Sequence, residues 1–426
     1  METQSARQPR LARSLGTADA VFIGLGSMIG AGVFAVFAPA AATAGTGLLV
    51  GLVIAAIAAY LNATSSAQLA AQYPTSGGSY VFGRERLGPW WGFLAGWGFV
   101  IGKTASCAAM ALTFAAYIAP SQWQRPTAIA AVIALAAVNY RGITRTARLT
   151  RIIVTVVLLS LTVVIAAGLF GGDPSFPGLM NGNDLGMKGG VYGVLQSAGL
   201  LFFAFAGYAR ISTMGEEVRN PKRTIPRAIQ IALALVVTLY AIIALTLLSV
   251  LGPDVIAQTP APLAALAQAS AWGWVKPVVQ IGGAAAALGA LLALIAGVGR
   301  TSLAMARTDD LPRFLAAVHP RYQVPHHAEI ALATIICALI LVVDLRGAIG
   351  FSSFGVLLYY LVTNIAAFTQ DQKHRRFPRA FQVLGALTCA ALVVTLPWQS
   401  VLTGTVIFAI GIAYRLATLK LKTTVR

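Results

Sequence analysis

The chain has 426 residues, of which 58% are hydrophobic and only 10% charged, with a mean hydropathy of +0.77. Soluble domains carry roughly 25% charged residues, so this composition excludes a soluble globular protein and indicates a chain that crosses a membrane several times. The net charge of +18 invites a nucleic-acid reading, but the basic residues cluster in short loops between apolar runs, the pattern of membrane topology.

In chain order, a polar tail (residues 1–15) with Arg7, Arg10 and Arg13 precedes the first apolar run. That run is too long for a signal peptide and reads as a retained helix. Runs of about 20 apolar residues, enough to span the hydrocarbon core, fall at 17–42, 47–72, 89–119, 126–140, 150–170, 191–215, 228–252, 275–305, 328–344, 347–369, 380–397 and 399–417. The expected fold class is an all-α polytopic membrane protein of 12 transmembrane helices, the fourth and ninth being short. An even number places both termini on one side. Of the 31 Lys and Arg residues, 25 fall in the tails and loops of that side, whereas the opposite loops hold Arg125, Lys188, Lys276 and Arg346. Both ends are therefore expected in the cytoplasm, in a cytoplasmic (plasma) membrane protein with a C-terminal tail at 418–426.

The longest outer connection, 253–274, carries Pro253, Pro260 and Pro262 and then an Ala/Leu run, 263–271, that reads as a short interfacial helix. A turn-rich outer loop follows the fifth run, from Gly171 to Gly190. Cys107, Cys337 and Cys389 lie far apart in apolar runs, and all four histidines fall in loops, so no disulfide framework, metal site or cofactor is read.

Two stretches interrupt this regularity. Gly26-Ser27-Met28-Ile29-Gly30-Ala31-Gly32-Val33-Phe34 stands in the middle of the first run, although glycine costs about 1 kcal/mol relative to alanine inside a helix. Backbone that leaves the helical ladder at membrane depth is tolerated only where it is buried in protein or lines a cavity. Phe203-Ala204-Phe205-Ala206-Gly207 forms a second irregular patch in the sixth run. Interrupted helices in corresponding positions of two halves point to a solute site; close packing of small residues is the plainer account.

The first stretch resembles the first-helix signature of the amino acid–polyamine–organocation (APC) superfamily of transporters. So do Tyr73-Pro74-Thr75-Ser76-Gly77-Gly78-Ser79-Tyr80 with Arg84-Glu85 and Leu87-Gly88-Pro89, and Phe203 to Tyr208 leading into Glu216-Glu217-Val218-Arg219-Asn220-Pro221. Met305-Ala306-Arg307-Thr308-Asp309-Asp310-Leu311-Pro312 completes the set. The resemblance implies a LeuT-like fold of two inverted five-helix repeats, residues 16–170 and 191–369, plus two C-terminal helices at 380–417. It also implies alternating-access transport of an amino acid or related amine, and no enzyme activity.

A zwitterion at the bilayer midplane has to replace its hydration shell. Amides freed after the first break, at Gly30, Ala31 and Gly32, suit a carboxylate. Carbonyls freed before the second, at Phe203, Ala204 and Phe205, accept from an ammonium. Ser27, Met28 and Gly207 complete the candidate substrate-binding set, and by resemblance Phe203 stands at an aromatic gate.

Lys103 lies near the midpoint of the third run, too deep to snorkel comfortably, and Arg210 lies just past the second break. Lys103, Arg210 and Asp19 are the candidate coupling or gating residues, with an Arg210–Asp19 pair as the structural account of Arg210. Some relatives carry an acid near the Lys103 position or at the Ala209 position; its absence here argues against cationic or polyamine substrates. A lysine that some relatives carry in the fifth span is absent too, Val157 taking its place. Residues 275–300 hold no Ser or Thr, so the oxygen ligands of the usual sodium site are missing and sodium coupling is not expected. Protons, carried by Lys103, or exchange remain. The expected substrate is a neutral or broadly chosen amino acid, the partners being that solute and the lipid bilayer, with no nucleic acid. The alternatives left open are a carrier of anionic amino acids or small amines, and a receptor-like membrane protein that does not transport.

Overall fold

All the apolar runs fall on helices in the computed structural model, which describes residues 15–74, 77–142, 147–172, 188–215 and 217–424. Gly171 and Gly172 are described, but most of the outer loop after them, with Thr75, Ser76 and Glu216, lies outside these residues. The first run folds as α1 (Thr17–Met28), α2 (Ala31–Ala35) and α3 (Phe37–Ala44), followed by α4 (Leu48–Gln72). Then come α5 (Ser79–Leu87), α6 (Pro89–Ile118), α7 (Gln124–Tyr140) and α8 (Ala147–Phe170). The sixth run gives α9 (Gly190–Phe205) and α10 (Ala209–Ser212), joined by a 3-10 turn, Ala206–Tyr208. The rest of the chain forms α11 (Pro221–Gln258), α12 (Pro262–Ala269), α13 (Val275–Arg307), α14 (His326–Val342), α15 (Leu345–Phe368), α16 (Arg379–Thr395) and α17 (Trp398–Thr424).

Among the described residues, nine helical segments are long and apolar enough to cross a membrane, and α14 and α16 are shorter apolar helices. The protein is thus a multi-pass, all-helical membrane protein. At 17 residues each, α7 and α14 rise about 25 Å, a little less than the hydrocarbon core.

Local chemistry sets the helix ends. Proline stands in the first turn of α6, α11 and α12, where no backbone donor is needed. Gly88, at φ +99, supplies the left-handed turn that lets α5 fold back on α6. The seventh run is longer than its hydropathy suggested: α11 extends to Gln258, but Gly252, at φ +71, kinks it, so the last turn starts afresh at Pro253. The Ala/Leu run forms α12, a short helix as expected, docked on α8, α11 and α13 with Leu263 and Leu266 fully buried.

The core is the contact of α4, α6, α9 and α15, whereas α17 is only 17% buried and lies at the periphery. A buried polar seam fixes the register of α4, α15 and α16. Ser65 donates to Asn364 Oδ1 (2.7 Å), Asn364 Nδ2 donates to Asn62 Oδ1 (2.6 Å), and Cys389 Sγ lies 3.3 Å from the same Asn62 oxygen. In hydrocarbon each of these groups depends on the others for its hydrogen bond.

Candidate functional site

Helix α1 stops at Met28. Ile29 still donates to Leu25 O, but at Gly30 ψ swings to −148° and a new half-helix starts at Ala31. Val36 keeps helical angles, so α2 and α3 act as one half-helix over 31–44. The first amides of that half-helix have no acceptor within it. The second interruption differs from expectation: the 3-10 turn at Ala206–Tyr208 keeps right-handed helical angles, so this helix is tightened where the first is broken.

The two interruptions cross in direct contact. A Cβ added at Gly32 would lie 2.8 Å from Ala204 Cα, and one at Gly207 would fall on the Ser27–Met28 backbone. Gly30 meets α13, where an added Cβ would lie 2.8 Å from that of Ala290. Small residues let the backbones approach this closely.

Three tyrosines, which the pattern of glycines did not reveal, satisfy the loosened backbone. Tyr240 of α11 donates to Met28 O (2.6 Å) and, in a bifurcated arrangement, reaches Ala204 O (3.3 Å), so one hydroxyl bridges both interruptions. Tyr117 of α6 donates to Phe34 O (2.9 Å), and Tyr360 of α15 donates to Ala206 O (3.4 Å). A tyrosine inside an apolar span needs a partner for its O–H, and that was the available signal. Tyr240→Phe leaves Met28 O without its donor, at a cost of about 1–3 kcal/mol. The expected result is a lower melting temperature in detergent together with reduced uptake.

Each sequence-predicted residue can now be placed. Met28, Gly30, Ala31, Gly32, Phe203, Ala204 and Phe205 are buried at the crossing, with Ser27 and Gly207 partly exposed beside them. Ser27 Oγ donates to Ile23 O (2.9 Å), and Phe205 packs on Tyr240 with ring centroids 5.1 Å apart. A cavity of about 10 Å³, room for one water molecule, adjoins the break between α1, α8 and α13. Its lining of Gly26, Ile29, Gly30, Ile153, Val154, Val157 and Ala286 carries no side-chain oxygen. This cavity is therefore too small for an amino acid, and the crossing has to open to admit one.

The expected Arg210–Asp19 pair does not form. Asp19, in the first turn of α1, turns to Arg151 of α8 and accepts from Gly16 N (3.1 Å). Arg210 instead reaches Glu217 (3.4 Å), because the chain doubles back after Ser212 and returns that carboxylate to the foot of α10. The same return brings Leu15 alongside Val218 in a parallel bridge, with Arg219 N donating to Leu15 O (2.9 Å). Lys103 is 8% exposed and makes no hydrogen bond or ion pair among the described residues.

The Asp309–Asp310 motif proves to be a helix stop and an anchor. Asp309 takes φ +61 and donates to Ala306 O (3.2 Å), while Asp310 N donates to Met305 O (2.8 Å), closing α13 in a Schellman turn. The buried Asp310 carboxylate accepts from Tyr80 (2.8 Å), faces Arg84 at 3.4 Å and pairs closely with Arg415 of α17. Burial raises the Tyr80 pKa and keeps its O–H in place as a donor. Arg415 also donates to Pro89 O (3.2 Å) and lies over the rings of Trp90 and Phe93 at 4.9 and 4.7 Å. It is a structural residue, not a free charge of the C-terminal tail.

Residues 15–417 match the model of a family described as amino acid permease. The chain belongs to that family. Among its relatives is an uncharacterized transporter of Mycobacterium tuberculosis, 55% identical over 95% of this chain and 90% of its own. The permease is also 27% identical to the branched-chain amino acid permease of Bacillus subtilis, over 94% of this chain and 92% of that one. A methylthioribose transporter of B. subtilis is 26% identical over 90% of this permease and 87% of its own length. The matched region takes in both interruptions and the three tyrosines that bond their backbone.

Proposed function

We propose that this permease moves a neutral or broad range of amino acids across the cytoplasmic membrane by alternating access, coupled to protons or by exchange. The supporting observation is the crossing of two interrupted helices at Gly32–Ala204 and Gly207–Ser27, one from each of the two expected repeats. This is the arrangement expected of a LeuT-like fold of twelve spans, with repeats over 16–170 and 191–369, 380–417 added and both tails cytoplasmic. In this reading the substrate carboxylate takes the amides of Gly30, Ala31 and Gly32. Its ammonium takes carbonyls at Phe203, Ala204 and Phe205, with Tyr240 yielding Ala204 O as the site fills. Alternating access then requires the crossing to open toward each side in turn.

The lining of the small cavity supports proton coupling or exchange over sodium, since a hard cation calls for oxygen ligands and the side chains there are aliphatic. The partners in this reading are the solute and the bilayer, with protons where transport is proton-coupled and not by exchange, and without a nucleic acid or cofactor. That relatives include a branched-chain permease and a methylthioribose transporter supports reading recognition of the solute's side chain as the variable part of the site. Uptake of radiolabelled amino acids into proteoliposomes, with and without a pH gradient, tests the proposal. Accumulation of at least one neutral amino acid is expected; a screen of all twenty in which none accumulates overturns it.

A further inference from the structure

Lys103 stands halfway along α6, on one face with Phe99 and Cys107, four residues to either side. Cys107 packs in the same cluster as Ala31, the first residue after the break, and as Ala287 and Leu291 of α13. Lys103 is therefore one helical turn, about 6 Å of rise, from a member of the cluster that includes Ala31, on the helix against which α2 packs. It is more than nine-tenths buried and unpartnered among the described residues.

The chain has 13 Asp and Glu residues in all. Of the nine that are described, five are held in ion pairs by arginines. Glu85 and Asp254 are exposed, Asp344 caps α15 on Gly347 N (2.8 Å), and Glu329 stands in the first turn of α14 beside Gly299. The other four, Glu2, Asp173, Asp184 and Glu216, lie in sequence outside the apolar runs. Among the described residues, no acid is thus paired with Lys103. An ammonium at membrane depth calls for a counter-charge, and a transporter has a source of one that other membrane proteins lack, its cargo.

We propose that Lys103 is the counter-charge for a second anionic group on the transported solute, so that the substrate range includes acidic amino acids and excludes cationic ones. The inference rests on the reading of the chain as an amino acid permease. Lys103 is a specificity-determining residue in this scheme, distinct from the backbone groups that hold the ammonium and carboxylate common to all amino acids.

The test compares uptake of aspartate, glutamate, leucine and lysine by proteoliposomes carrying the full-length protein, Lys103→Met or Lys103→Arg. In the native protein glutamate or aspartate accumulates and competes with leucine, and lysine does not. Lys103→Met lowers the ratio of acidic to leucine uptake by about tenfold or more, the scale for removing one partner of a buried charge pair, and Lys103→Arg retains it. Should Lys103→Met insert poorly, Lys103→Gln reads the same ratio. Leucine uptake without any acidic uptake, or an unchanged ratio in Lys103→Met, overturns the role of Lys103 and leaves the permease reading standing. Absence of uptake for every amino acid overturns both.

Discussion

Gly207→Val is expected to abolish amino acid uptake while leaving the protein inserted and purifiable. An added Cβ at this position falls on the backbone of Ser27 and Met28, and backbone, unlike the tip of a flexible side chain, has nowhere to go. Overpacking of a filled interior costs about 1–3 kcal/mol and at times more. Here that cost falls on one of the close backbone contacts through which the interrupted helices meet, another being Gly32 against Ala204. None of the apolar runs loses hydrophobicity, so insertion is preserved. The control is Gly297→Ala on α13, where an added Cβ meets no atom within 4 Å and transport should stay within about twofold of native, in line with small effects at uncrowded sites. Proteoliposome uptake normalised to reconstituted protein separates the two; native-like uptake by Gly207→Val would mean that the crossing is not where transport depends on close approach.

The second large effect concerns stability. Asp310→Ala removes the carboxylate from a cluster in which the side chains of Arg415 and Asp310 are 7% and 4% exposed. Breaking a buried pair by deleting one partner typically costs about 3–5 kcal/mol, because the remaining charge is left uncompensated. The cluster joins α5, the end of α13 and α17, so a marked fall in melting temperature in detergent is expected. Asp310→Leu combined with Arg415→Met removes both charges and should recover most of the loss, as replacing a whole buried pair is often nearly neutral. If the double variant melts as low as the single one, the cluster acts through shape and not through charge.

How much of this was legible in the residue string depends on the range of the interaction. Hydropathy located the helices because burial in lipid is a property of each run by itself. The glycines at 26, 30 and 32 pointed to the first break because each weakens a helix, although close packing of small residues calls for the same residues. The second interruption proved milder than its sequence suggested, since Ala206 and Tyr208 on either side of Gly207 keep helical angles. Pairings between distant segments were not legible. Nothing in the spacing around Tyr240 says that its hydroxyl serves Met28, and Arg415 read as one more basic residue near a tail until Asp310 was found beside it. The reassignment of Asp19 from Arg210 to Arg151 has the same origin: both arginines are near in the bundle, and only the path of the chain after Ser212 decides between them.

The bridge between Leu15 and Val218 has a practical corollary. It yokes the amino-terminal lead-in of the first helix to the strand-like link that follows the sixth, so neither can be displaced without straining the other. A bulky fusion at the amino terminus, or removal of the first sixteen residues, would then alter the kinetics of the transport cycle even though neither change comes near the crossing. Reporter fusions are better made at the carboxyl end, where α17 lies at the edge of the bundle.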